Sequence, residues 1–413
     1  MHQPMNRTEA PLGMPGFVEF VALIALLMAL TALSIDIMLP ALPQIGQALD
    51  VADPNRRQLV VTAYMLGFAA GQIVFGPLSD RFGRKPILLC GLIIFAAASL
   101  ASALAADFQS LLIARAVQGL GCAAPRVMAI AIVRDLYGGR HMARVMSFVM
   151  TVFIIAPIVA PGIGEALLIV GRWEWIFQFL FLVALLTIAW SSLRLPETQT
   201  PEKREPLSLA WLIRAFGETV TTRQTLGYTI SASLVFGALL GYINSAQQIF
   251  VDIYGAGSMF PVLFGVVAIA LAAAAFLNGR LVVRLGMRWL SHIALIGFFG
   301  VAVILLALSL LSDGVPPLWA FCALLSLNLF CFGFAMPNYN ALAMEPLGHI
   351  AGTASSFVGA FTTAGAAVLG WYVGQQFDGT VVPLALGYVG LGALAILAVA
   401  VTERGRLFAG RTA

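Results

Sequence analysis

Three charged side chains stand where charge is costly. Asp36, Arg115 and Arg126 interrupt apolar runs long enough to cross a bilayer. An ionisable group at that depth is a functional candidate by default. A carboxyl held between burial, which favours its neutral form, and an arginine, which favours its anion, can load and release protons near neutral pH. Asp36 is the candidate proton carrier and Arg115 its modulator; a purely structural Asp36–Arg115 pair is the alternative. Glu19 is a weaker candidate, because at the end of its run it can snorkel. Arg115 and Arg126 are eleven residues apart, which leaves them within about 20° on one helical face. Gly119 and Cys122 lie near the same stripe, with Gln118 at its edge. This face is expected to look into a central cavity. Arg126 would attract an anionic or carbonyl-bearing substrate there, or balance an acid such as Glu165; the sequence leaves both open.

Two polar stripes add to this set. Asn244, Gln248 and Asp252 recur at a spacing of four, with Tyr242 and Gln247 beside them, and "MPNYN" supplies Asn338, Tyr339 and Asn340. Such stripes either glue helices together or form the polar patch of an adaptable, aromatic and Met-lined cavity. Met38, Met65 and Phe68 would complete that cavity from the first half. Cys90, Cys122, Cys322 and Cys331 all lie inside apolar runs and read as packed thiols. No Cys/His cluster suggests a metal, no Gly-rich phosphate loop follows a strand pattern, and no nucleophile–base spacing stands out. The expectation is a chain with no metal, no cofactor, no nucleic-acid partner and no enzymatic centre.

The elements that position these residues follow from composition. Of 413 residues, 60% are hydrophobic and 10% charged, with a mean hydropathy of +0.94. A soluble domain carries about 25% charged residues, so the solvent must be largely lipid, at about 20 apolar residues per crossing. Eleven charge-free runs, together with a segment at about 108 to 134 interrupted by Arg115 and Arg126, predict twelve membrane helices. With the N-terminus inside, Arg56, Arg57 and Arg172 alone fall in outer loops. Only Arg115 and Arg126 lie within the membrane, and the rest of the 23 basic residues are cytoplasmic. The start, "MHQPMNRTEAPLGMPGF", is no convincing signal peptide and reads as a cytoplasmic tail. The boundaries are a tail at 1–16, a six-helix bundle at 17–194, a cytoplasmic linker at 195–222, a second bundle at 223–403 and a tail at 404–413. Within the linker, an amphipathic piece around Leu207 to Phe216 is expected to lie on the membrane surface. The halves repeat: "GPLSDRFGRK" at 76 to 85 realigns with "GRLVVRLGMR" at 279 to 288, and "MSFV" at 146 to 149 with "SSFV" at 355 to 358. Duplicated bundles are a common transporter plan.

These stretches carry a resemblance. "GPLSDRFGRK" resembles the signature loop of the major facilitator superfamily. "LSIDIMLPALP" (33 to 43), "RAVQGLG" (115 to 121) and "APIVAPGIG" (156 to 164) are similar to motifs of its proton-coupled drug antiporters, and most of all to the Bcr/CflA drug-resistance subfamily. The resemblance covers the whole chain, with its specific motifs concentrated in the first half. Glu165 departs from it, standing where the family usually has a second glycine. The resemblance implies an all-α integral membrane protein of twelve helices in two pseudo-symmetric six-helix bundles. It implies a monomer in a bacterial cytoplasmic (inner) membrane, both termini inside. That protein would export small amphipathic compounds in exchange for protons by alternating access, drawing on the proton gradient. The alternatives are a proton-coupled transporter of a metabolite such as a nucleobase or amino-acid derivative, and a non-transporting receptor or scaffold.

In the loop, Gly76 and Gly83 permit a tight turn, while Arg81, Arg84 and Lys85 suit a topology signal. Topology does not explain Asp80, because acids contribute little to it. The resemblance implies a latch. Asp80 would pair with Arg134 at the inner end of the fourth helix and face the positive N-terminus of the eleventh, favouring the state closed inside. Pro157, Pro161, Gly162 and Gly164 allow bends and close contacts in the fifth helix. They would seal a seam against leak, with the fifth and eleventh helices approaching the opposite half.

Overall fold

A computed structural model of the chain describes residues 15–199 and 209–408. Long apolar runs with no water to hydrogen-bond their backbone satisfy it internally, and the described residues accordingly hold helices and no strand. Eleven stretches are long and apolar enough to span a membrane. One of them, Leu318–Gln375, is two helices joined by the turn Glu345–Ile350, where Leu347 leaves helical geometry. Twelve crossings result. The first half holds α1 (Phe17–Asp36), α2 (Leu59–Phe82), α3 (Arg84–Ala103), α4 (Phe108–Leu136), α5 (Gly139–Val170) and α6 (Glu174–Arg194). The second holds α7 (Arg223–Gln247), α8 (Phe260–Leu285), α9 (Met287–Leu311), α10 (Leu318–Met344), α11 (Ala351–Gln375) and α12 (Val382–Thr402).

Each half packs around a small-residue helix. α4 lies between α2 and α3, and α7 between α11 and α12. A Cβ on Gly119 would sit 1.9 Å from the Tyr64 carbonyl oxygen, so this glycine sets how closely α2 and α4 approach. Across the halves α2 packs on α11, and α5 on α8. The turns after α2 and α8 use Gly83 and Gly286 at φ 102 and 82, a conformation that favours glycine. The repeat therefore extends to backbone geometry. It extends to charge as well: Arg84 pairs with Asp135 at the end of α4, and Arg288 with Glu345 at the end of α10.

Arg81, Arg84, Lys85, Arg134, Arg284 and Arg288 gather on one face of the molecule, called the basic face here, and Arg56, Arg57 and Arg172 lie on the opposite face. Arg7, Lys203, Arg204 and Arg411 fall outside the described residues, as does Leu207. The described part of the linker includes a helix, Leu209–Thr221, whose Phe216 packs on Phe357 and Phe361 of α11 while Ile213 is exposed.

Candidate functional site

Asp36 is the last residue of α1. Pro40 and Pro43 follow, and a proline removes one backbone donor and clashes one turn back. The chain turns through Leu39–Ala41 and resumes as a short helix, Leu42–Ala48. The carboxyl thus sits at a break in the first crossing, 4% exposed. Among the described residues it makes no hydrogen bond and no ion pair. Across the seam between halves, α7, which carries Tyr242, packs on the Leu39–Ala41 turn that follows Asp36. The Tyr242 hydroxyl is itself buried without a partner. Gly164 of α5 fits against the break: a Cβ there would stand 1.9 Å from the Ile37 carbonyl oxygen. Gly164 therefore serves contact within the first half. α5 reaches the other half through Ile158 on Gly265, and nothing lies within 4 Å of a Cβ on Gly162.

Arg115 is fully buried, but its partners are not Asp36. Its Nε donates to the Val60 carbonyl at 3.1 Å, its Nη2 to the Ser34 carbonyl at 3.2 Å, and its Nη1 to Gln118. Tyr64 and Phe177 lie against its guanidinium, 4.5 and 5.8 Å from the ring centroids. Gln118 passes the network to Ser99 of α3 at 2.7 Å. Arg115 ties α1, α2 and α4 together two residues before the break. The alternative reading, an Asp36–Arg115 pair, does not form here: backbone carbonyls and Gln118 occupy the guanidinium.

The opposite face is closed by a group of amides, of which the sequence singled out only Gln248. Asn55 donates to the carbonyls of Gln375 and Phe377, at 3.2 and 2.8 Å. Gln58 donates to Gln248 at 2.7 Å and to the Gly374 carbonyl at 3.1 Å. Gln248 donates back to Asn55, and Gln375 to the Asn55 carbonyl. Gln248, expected in a substrate cavity, belongs to this seal. Asn, Gln and Gly clustered in "PNRRQ" and "GQQFDG" were the available signal, visible only once the two loops are adjacent.

On the basic face a cavity of about 310 Å³ separates α2 and α4 from α10 and α11. Its polar lining includes Gln72, Asp80, Arg126, Arg134, Asn340 and Ser355. Asp80 and Arg134 line the same space, yet the partner of Asp80 is Arg84, whose Nη1 donates to it at 2.6 Å. Arg84 also donates to Ser79 Oγ at 2.7 Å and, through Nε, to Asp135 at 2.9 Å. It is 5% exposed, an inward anchor as well as a topology signal. Glu197, just after α6, accepts from the backbone N–H groups of Arg84 and Lys85 at 2.9 and 3.2 Å, capping the positive end of α3. Gly76 does not shape the turn: a Cβ on it would lie 2.4 Å from Ser356 Oγ of α11. Arg81 stays outside, over the Phe82 ring.

Most other cavity candidates are packing in this conformation. Gln118 and Cys122 are fully buried in the first half, and Met38, Met65 and Phe68 are in its core. Asn338 donates to Asn278 across α8 and α10 at 2.7 Å, and Tyr339 packs on Tyr228. The Asn244 Oδ1 atom is buried without a partner. Pro157 and Pro161 stand inside α5 without ending it. Among the proposed substrate residues, Arg126 lines the open cavity, together with Asn340. Its guanidinium lies 4.6 Å from the Phe153 ring, and Glu165 does not balance it.

A family model described as "Major Facilitator Superfamily" matches residues 24–370. The chain is 33% identical to a bicyclomycin resistance protein homolog of Haemophilus influenzae, over 85% of this chain and 87% of the relative. It is 29% identical to multidrug resistance protein D of Escherichia coli, over 81% and 82%. Among solved structures, a partially occluded inward open form of the xylose transporter XylE from E. coli aligns with a TM-score of 0.72. That alignment has 14% identity, over 96% of this chain and 99% of that one, a likeness of fold.

Proposed function

We propose that the chain, which belongs to the major facilitator superfamily, exports small amphipathic compounds of the drug class in exchange for protons by alternating access. The observation that carries this reading is Asp36: a buried, unpartnered carboxyl at a helix break beside the seam between two bundles, with one face sealed and the other open. The names of the relatives support the substrate class. The excess of basic residues makes the basic face cytoplasmic. Both termini are then cytoplasmic, the membrane is the bacterial inner membrane, and the cavity faces inward. The working unit is a monomer.

Burying a carboxylate with no counter-ion is costly, so in this inward-facing state Asp36 carries a proton taken up from outside. Substrate entering the cytoplasmic cavity displaces that proton inward. The amide seal then parts, and the cytoplasmic cavity closes as Asp80 and Arg134 come together. In the outward state the compound leaves and Asp36 reloads. One charge moved across 100 mV supplies about 2.3 kcal/mol, so one or two protons sustain gradients of roughly 50-fold to a few thousand-fold.

The test is transport in proteoliposomes under an imposed pH gradient, over a panel of amphipathic compounds, with and without uncoupler. Wild type should accumulate some of them only with the gradient. Asp36→Asn should retain folding and facilitated exchange and lose gradient-driven accumulation. Accumulation at the wild-type rate in that variant would remove Asp36 from the proton path.

A further inference from the structure

We propose that Arg126 anchors an anionic group of the transported compound, so that preferred substrates carry a carboxylate or similar anion beside an aromatic or apolar body. This deepens the export reading and rests on it for the word transported. Arg126 lies eight residues, about 12 Å along α4, inward of Arg134, which marks the mouth of the cavity. A cation at that depth normally has a counter-charge. Among the described residues it has neither ion pair nor hydrogen bond, and its one contact of note is the face of Phe153.

The other charges in the cavity sharpen the sign. Asp80, its carboxylate, is taken by Arg84, and Arg84 is shared between Asp80 and Asp135. Arg134 is exposed and, like Arg126, without an acidic partner among the described residues. The uncompensated charge of the cavity is therefore positive, and a cationic compound entering it meets two guanidinium groups and no free carboxylate. A guanidinium stacked on a ring keeps its N–H donors in plane for the two oxygens of a carboxylate. Gln72, Asn340 and Ser355 offer neutral hydrogen bonds around it. Val127, Ile130, Met344 and Val358 line the same cavity and offer an apolar surface beside the charge.

The experiment measures equilibrium binding to the full chain in nanodiscs, at neutral pH and without a proton gradient. The probes are 1-naphthylacetate, its amide, and the corresponding primary ammonium, which share one aromatic body and differ in charge. Wild type should bind the carboxylate about tenfold tighter than the amide, the factor of one charge-assisted hydrogen bond, and the ammonium no better than the amide. Arg126→Gln should bring the carboxylate-to-amide ratio close to one, while Arg126→Lys keeps several-fold of it. Unchanged thermal unfolding of both variants separates recognition from folding. A wild-type ratio of one or less, or an undiminished ratio in Arg126→Gln, overturns the proposal. Proton-driven export is scored separately in proteoliposomes, so its failure would sink the transport reading while the binding ratio still decides the role of Arg126.

Discussion

Arg115 and Arg126 share a helix and a face, yet their surroundings assign them opposite work. Arg115 is spent on the Val60 and Ser34 carbonyls and on Gln118, so it is a bracket. Removing it takes the donor from Gln118 and from the Ser34 carbonyl in the last turn of α1, at about 1–3 kcal/mol for each buried acceptor left unpaired. Arg115→Ala should therefore unfold at lower temperature and reach the membrane at reduced level, with every substrate affected alike. Arg115→Lys should rescue little, because one ammonium cannot reproduce a planar fork. Arg126→Ala should unfold at the wild-type temperature and change the range of compounds instead. Thermal unfolding in detergent together with a compound panel checks both; equal stability loss in the two alanine variants would contradict the division. Both arginines were legible in the sequence as costly charges. Their roles were not, because the carbonyls that occupy Arg115 come from α1 and α2.

At the scale of elements, the fifth helix shows how one motif serves two purposes. Gly164 admits the broken end of α1, where a Cβ would meet the Ile37 carbonyl oxygen at 1.9 Å, whereas nothing lies within 4 Å of a Cβ on Gly162. Gly164→Ala forces two backbones apart beside Asp36 and should abolish coupled transport, with a destabilisation of roughly 1–3 kcal/mol from overpacking. Gly162→Ala should transport normally. Transport rates and unfolding temperatures of the pair decide it, and equal damage from both would mean that the contact with α1 is not what the motif provides. The loop after α2 divides in the same way: Gly83 makes the turn, while Gly76 lets α11 come close.

At the scale of the whole molecule, a seal closes one face while a cavity opens on the other. The opposite-face seal consists of neutral amide hydrogen bonds, each worth about 0.5–1.5 kcal/mol net. Gln58→Ala removes its bonds to Gln248 and the Gly374 carbonyl, and a loss of 1.4 kcal/mol changes a two-state ratio tenfold. The expected result is a shift toward the state open on that face. It would be read as faster labelling of cysteines placed beside Asn55, in a background without Cys90, Cys122, Cys322 and Cys331. Unchanged labelling would show that apolar packing of α1, α2, α7 and α11 holds this face shut without the amides.

Some of this was determined by the sequence alone. Charge-free runs about twenty residues long have one solution in lipid, a helix that bonds its own backbone, so twelve crossings, the all-α class and the repeated turns at Gly83 and Gly286 could be read directly. The cost of charge in lipid singled out Asp36, Arg115 and Arg126 in the same way. Pairing was another matter. Asp80 facing Arg84 instead of Arg134, Arg115 meeting carbonyls instead of Asp36, and Gln248 joining Asn55 and Gln58 all depend on which helix ends become neighbours. Periodicity along one helix gives the face of a residue, but not the partner that the opposing helix brings to it. That partner comes from tertiary packing.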